Sequence, residues 1–274
     1  MRPSRPHAPA AVLAAFVFAA WPIIGGPAAA GPAPAVLSVS ADELQIDAAR
    51  QVVVAEGRVR VSDGTVTATA ARATVYRREG RAVLAGGARA SGPDGVLEGR
   101  EITVLFTDRA ITRIVARGEA SLEIAAGLVS AATVTLVPAG ETVVAEGGVR
   151  LFTDPDVIST AARLVFSRTA GTVVLTGAAR VQNADGVVEA DRIDGARRLD
   201  RVTATGHVQA VYRDLTVRSR TAEVFLGEKR AVFTGDVRLR GTDRAMTSER
   251  VTVWYGEGRA LAEGPTWIRL EPPP

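Results

Sequence analysis

The chain contains no cysteine, which excludes disulfide frameworks, thiolate metal sites and cysteine nucleophiles. It has two histidines, His7 and His207, far apart in sequence and too few for a transition-metal centre. Aromatic residues make up only 5% of the chain, although 47% of it is hydrophobic. The apolar content is mainly Val and Ala, which suits thin, repetitive packing better than one ring-filled globule. Lys229 is the only lysine, so nearly all the positive charge is arginine. No Gly-x-Ser-x-Gly, phosphate-binding loop or dinucleotide fingerprint occurs, and no acid pair is singled out for glycoside chemistry. The expectation is a non-enzyme with no catalytic residue, no metal and no cofactor.

Net charge excludes less than the isoelectric point of 9.9 suggests. Of 33 basic residues, Arg2 and Arg5 fall in the first thirty positions, which hold no acid. The remainder has 31 basic residues (33 − 2) against 30 acidic ones, a net +1. A nearly neutral chain gives no reason to expect nucleic acid.

The N-terminus reads as an address. Arg2 and Arg5 precede an apolar stretch from about Ala10 to Ile24, and the small-residue run Pro27-Ala28-Ala29-Ala30-Gly31 follows. This is the pattern of a secretory signal peptide over residues 1–30, with an Ala-x-Ala site ending at Ala30. The apolar stretch carries Pro22 and falls short of the ~20 residues that span a bilayer. Export to the periplasm with cleavage of the leader is expected.

The rest of the chain repeats itself. Eight segments centre on one glycine, at Gly57, Gly86, Gly118, Gly147, Gly177, Gly206, Gly235 and Gly264. Their spacings are 29, 32, 29, 30, 29, 29 and 29 residues. Positions −4, −2, +2 and +4 from each glycine are apolar, Thr266 excepted, and the positions between are often charged. That period of two marks a strand with one buried face. On the same period the glycine falls on the inward face, where it marks a bend or a close backbone approach.

A second strand separates consecutive glycine strands. It reads Val39-Ala41-Leu44-Ile46, then Ala68-Ala70-Ala73-Val75, then Leu97-Gly99-Ile102-Val104, and continues to Met246-Ser248-Val251-Val253. Each pattern alternates, skips one extra residue and resumes, as a β-bulge or sharp bend does. The joins are turn-like, for example Ser62-Asp63-Gly64, Pro93-Asp94-Gly95 and Ala184-Asp185-Gly186. The spacing varies only near Thr107-Asp108-Arg109 and Asp154-Pro155-Asp156. Short turns connect antiparallel neighbours, so the expected class is all-β: an elongated antiparallel β-jellyroll of eight two-strand repeats. If each strand folds at its bend, two facing sheets enclose an apolar lane. Strand spacing then gives a body roughly 75 Å long.

Phrases such as Ser40-Ala-Asp-Glu-Leu-Gln-Ile, Val53-Val-Ala-Glu-Gly-Arg-Val-Arg-Val, Val173-Val-Leu-Thr-Gly and Ala231-Val-Phe-Thr-Gly-Asp-Val resemble the repeats of the LptA/OstA family. The resemblance runs from about residue 36 to 268, longer than a single family domain. The array is one body or two tandem halves, about 36–150 and 151–268, followed by a tail at 269–274.

The resemblance implies a V-shaped jellyroll whose interior holds lipopolysaccharide acyl chains. It also implies a place in a periplasmic bridge between inner and outer membranes, with Lpt-type jellyroll proteins as neighbours at both ends. Open strand edges would support end-to-end self-association. The expected groove lining is Val53, Val59, Val61, Ile102, Val104, Leu164, Phe166, Leu175, Ile193, Phe233, Val237 and Val251. The competing readings are a structural or adhesive β-solenoid with a closed, dry core, and a polysaccharide-active enzyme on a β-helix. Hairpin-like turns argue against a parallel β-helix.

Overall fold

The computed structural model describes residues 38–62, 66–93, 95–107, 111–124, 127–138, 141–154, 157–184, 186–196, 201–212, 215–242, 244–255 and 257–270. The signal segment, several turn residues such as Asp63, Asp94 and Asp108, and the last four residues lie outside them. The described chain is all-β, with no α-helix among these residues.

Two compact units make it up, one of residues 38–151 with 163–170, the other of 152–162 with 171–270. The first unit holds β1 (Ser38–Ser40), β2 (Glu43–Asp47), β3 (Val52–Ser62), β4 (Thr67–Tyr76), β5 (Arg81–Gly92), β6 (Gly95–Phe106), β7 (Ile111–Ile124), β8 (Gly127–Val137) and most of β9 (Thr142–Asp154). Strand β10 (Val157–Ser167) contributes to both units. The second unit continues with β11 (Thr172–Gln182), β12 (Gly186–Ala196), β13 (Arg201–Tyr212), β14 (Leu215–Phe225), β15 (Arg230–Arg240), β16 (Arg244–Trp254), β17 (Arg259–Glu263) and β18 (Trp267–Leu270).

Within the first unit β3 to β8 pair antiparallel in sequence order, and β1 and β2 both pair with β3. Within the second, β11 to β16 do the same, and β17 and β18 both pair with β16. The split end strands are the two arms of one bent strand, broken at Ala41-Asp42 and at Gly264-Pro265-Thr266. The three-residue insertion is taken up between β6 and β7, where Phe106 pairs with Ile111 after a shift from Leu105.

Every full strand carries the bend. Between β11 and β12 the register runs Thr176↔Arg192 and then Ala179↔Ala190, so Gly177 and Ala178 oppose the single residue Asp191. The same shift recurs at Glu56/Val59, Ala85/Ala88, Thr205/Val208 and Thr234/Val237. All eight repeat glycines have φ between 71° and 90°. The following residue is also left-handed in seven repeats, including Arg58, Glu119, Ala178, His207 and Asp236. Two successive left-handed residues turn the strand sharply, a strained choice for L side chains and a mild one for glycine.

The bend also reverses the expected placement of the glycines, which do not point inward. A Cβ on Gly177 would lie 2.6 Å from the Ala162 Cβ, and one on Gly147 would lie 2.7 Å from the Ala132 Cβ. Gly86 meets Ala71 in the same way, and at other bends the atoms met belong to exposed charged side chains: Asp42 at Gly57, Arg100 at Gly118, Asp191 at Gly206. The glycines sit on the outer corner, against the bulge residue of the preceding strand. Strict alternation misplaces them because two left-handed residues rotate the strand before the inward phase resumes at +2.

Burial follows this geometry. The residues flanking each bend form the core: Leu175 and Ala179, Ile193 and Ala190, Ala204 and Val208, Phe233 and Val237. Positions flanking the bend on the other arm are filled by alanine, as at Ala70, Ala88, Ala120, Ala131, Ala179 and Ala190, or by valine, as at Val59, Val149, Val208 and Val237. Three inward positions are serines, Ser159, Ser219 and Ser248, all buried. The Ser219 hydroxyl donates to the Thr221 carbonyl at 2.9 Å, and that of Ser248 to the Glu263 carbonyl at 2.9 Å. Among the described residues no buried side-chain polar atom is left without a partner. The outer face is not uniformly wet. Val115, Val232 and Thr252 face outward by register yet are buried, in rows of β-branched Val and Thr that cover one another across strands.

Candidate functional site

Four inward rows run across the strands of each unit, two on each arm. In the first unit the row at two residues before the bend is Ala55–Ala73–Leu84–Ile102–Ala116–Val134. In the second it is Leu175–Ile193–Ala204–Ala222–Phe233–Val251–Ala262. Members of these rows, Ala262 excepted, are buried. The rows farther from the bend differ between the units: in the second, Val173–Gly195–Val202–Val224–Ala231 is buried as well, and in the first they are less covered. Val53–Val75–Ala82–Val104–Ile114–Leu136 is half-buried throughout. On the other arm, Val61–Ala68–Ala90 is half-buried, whereas Leu97, Leu122 and Val129 are buried.

The twelve residues expected to line a groove therefore separate into two groups. Val59, Ile102, Leu164, Leu175, Ile193, Phe233, Val237 and Val251 are buried beside the bends and touch protein. Leu175 pairs with Ile193, and Phe233 with Val251. Val53, Val61, Val104 and Phe166 lie farther out and are half-buried. The period of two assigns both groups alike to the inward face and carries no distance from the glycine. Within the first unit that distance also points to Val75, Ile114, Leu136, Ala68 and Ala90, whereas Val173, Val202 and Val224 at the same distance in the second unit are buried.

Rings mark the outer limit of the same arm. Tyr76, Phe106, Phe166, Phe225 and Trp254 stand at strand ends beside the turns, all half-buried. Three of these turns share one clasp, in which an arginine stacks on the ring that ends the preceding strand. The guanidinium of Arg81 lies 4.3 Å from the Tyr76 ring centre, that of Arg230 4.1 Å from Phe225, and that of Arg259 3.9 Å from Trp254. Each arginine also pairs with a glutamate two residues earlier: Glu79 at 2.9 Å, Glu228 at 2.8 Å and Glu257 at 3.2 Å. Cation–π contact and ion pair together fix the ring.

Outward charges are largely matched. Arg58 and Asp42, Arg100 and Glu119, His207 and Asp191, and Arg220 and Asp236 pair across the corner beside the glycines. The hydrogen-bonded Asp194 carboxylate holds the Arg192 guanidinium above its ordinary value, and Asp42 does the same for Arg58. These are solvated surface pairs and make no catalytic constellation. No helix among the described residues is long and apolar enough to cross a membrane.

A family model for the LptA/(LptD N-terminal domain) LPS transport proteins matches residues 38–200, more than half of the chain. The chain belongs to this family. Its match begins at β1 and takes in the whole first unit and the beginning of the second. Among solved structures, one similar to this LptA-family chain is that of LptH from Pseudomonas aeruginosa. That protein is described as the LptA homologous periplasmic component of the conserved lipopolysaccharide transport device. The identity is 11% and the TM-score 0.40, over 42% of this chain and 95% of that one. No curated protein matches in sequence.

Proposed function

We propose that the protein holds lipopolysaccharide acyl chains along the outer inward-facing rows of its first unit and forms part of a periplasmic bridge between the inner and outer membranes. The observation that carries this reading is the half-buried row Val53–Val75–Ala82–Val104–Ile114–Leu136, an uninterrupted apolar strip beside a sealed core. A methylene group loses about 0.8 kcal/mol on leaving apolar surroundings for water, so several acyl chains need an apolar path across an aqueous gap. A strip of Val, Ala, Ile and Leu provides one without specific chemistry. A solenoid with a closed, dry core would seal this row as tightly as the row beside the bends. The open strip belongs to the first unit; the matching row of the second, Val173–Gly195–Val202–Val224–Ala231, is buried.

Mass spectrometry of the protein purified from its native envelope tests the reading. The expected result is co-purifying lipopolysaccharide, with photo-crosslinks to lipid from probes at Val104 and Phe166 and none from Arg58. A protein free of lipid, or equal labelling from Arg58, overturns it.

End-to-end self-association is part of the same proposal, supported by the open edges of the array. One edge ends on the bulged strand β1–β2, the other on the glycine strand β17–β18, so a second copy continues the alternation. The pairing of β15 with β16 supplies the register, with Phe233 opposite Val251 and Leu239 opposite Met246. Transferred to the two edges, it sets Ala262 opposite Leu44, Ala260 opposite Ile46, and Ile268 opposite Val39. Leu44→Cys combined with Ala262→Cys, in a chain with no other cysteine, should give a ladder of disulfide-linked multimers. The same result from Leu44→Cys with the outward-facing Leu261→Cys would overturn the register.

A further inference from the structure

The outward rows on the arm after the bend hold Arg60, Arg89 and Arg150 against Glu98 and Glu123 in the first unit, and arginine with no acid at the end of the second. In the first unit one row reads Arg60–Thr69–Arg89–Glu98–Ser121–Ser130, with Arg89 paired to Glu98. The next row out adds Glu123. In the second unit the corresponding row begins in the same way, with Arg180 paired to Glu189. It then runs Gln209–Arg218–Arg238–Thr247–Trp267. The row beyond it is Val211–Thr216–Arg240–Ala245–Arg269. From β13 to β18 neither row contains an acid.

Arg218 stands directly opposite Arg238, an arrangement that destabilises an isolated sheet. Arg218 donates to the Gln209 amide oxygen at 2.9 Å, and no described carboxylate pairs with Arg238 or Arg240. The exposed last strand adds Trp267 to the same row, 57% accessible.

We propose that this outer face, carried by Arg218, Arg238, Arg240 and Trp267, docks onto an anionic lipid-headgroup surface. Guanidinium forks bind phosphate oxygens bidentately, and a fluid layer of phosphodiesters can arrange itself to match a planar array of them. Tryptophan beside such charges suits the depth of a membrane interface. An acidic protein partner would require an apolar anchor pocket, and the face offers one exposed ring among arginines. The face stays outward if copies stack through their edges, and the inference does not depend on whether the inner rows carry lipid.

Co-sedimentation of the mature, signal-cleaved protein with vesicles tests it. Binding is expected with equal parts phosphatidylcholine and phosphatidylglycerol, not with phosphatidylcholine alone, and should weaken with salt. At about 1 kcal/mol per arginine at a membrane surface, the triple variant R218Q/R238Q/R240Q should bind on the order of a hundredfold more weakly. The control R60Q/R113Q/R150Q removes the same charge from the first unit and should bind as the parent does. Circular dichroism and thermal melting should be native-like for both, since removing like-charge neighbours does not weaken the sheet. Equal losses in both triples, an unaffected R218Q/R238Q/R240Q variant, or equal binding to phosphatidylcholine alone overturns the proposal. Tighter binding to polyglutamate than to the anionic vesicles would assign the face to an acidic protein instead and overturn the lipid reading.

Discussion

Interior and terminal strands carry the same pattern, yet their inward residues have different surroundings. Leu175 and Ile193, between neighbours on both sides, are 0% exposed. Leu44 occupies the equivalent position on β2 and is 51% exposed, and Ile46, in the next row out, is 65% exposed. The pattern decides which way a side chain faces. Burial comes from the next strand, and the terminal strands lack one. An open array thus presents at each end the apolar positions and unpaired backbone groups that its own repeat would cover.

The largest effect should come from charging the interior. Ile193→Asp places an unpaired carboxylate in the core and should cost about 3–5 kcal/mol, read as loss of a cooperative denaturant transition. Leu44→Asp at the same kind of position on β2 should change stability by under about 0.5 kcal/mol. Instead it should abolish multimers in size-exclusion chromatography. An equal stability loss in both would break the comparison.

The bends give a second, smaller contrast. Gly177→Val adds a Cβ 2.6 Å from Ala162 at φ +78 and should cost about 2–3 kcal/mol by thermal melting. Gly264→Val at the terminal bend meets the flexible Glu249 side chain at 3.1 Å and should cost about half as much, mostly backbone strain. The smallest effect is expected at the corner pairs. Arg100→Ala removes an ion pair with Glu119 whose side chains are 73% and 81% accessible, and should move stability by about 0.2–1 kcal/mol at most.

Much of this was legible without coordinates. The eight glycines, the period-two flanks and the skipped residue on the alternate strand predict strand, bend and antiparallel order, and Gly177 with Asp191 shows all three. The site was legible only in part. Leu164 and Phe166 look equivalent in sequence, two inward residues on one strand, but Leu164 lies beside the bend and is sealed, while Phe166 is half-buried. The glycines themselves were misread as inward because a period of two assumes extended backbone, and two left-handed residues break that assumption. The Arg218–Arg238 opposition could not be seen either, since residues twenty positions apart become neighbours only through the register.

The sequence by itself determined the strand class, the repeat and its bend, because alternation and glycine act within a few residues of chain. Only the tertiary structure decided which inward positions are sealed, which way the glycines face and where positive charge accumulates. Those depend on how far apart two arms stand and on which residues cross-strand hydrogen bonding sets side by side, distances that no local pattern records.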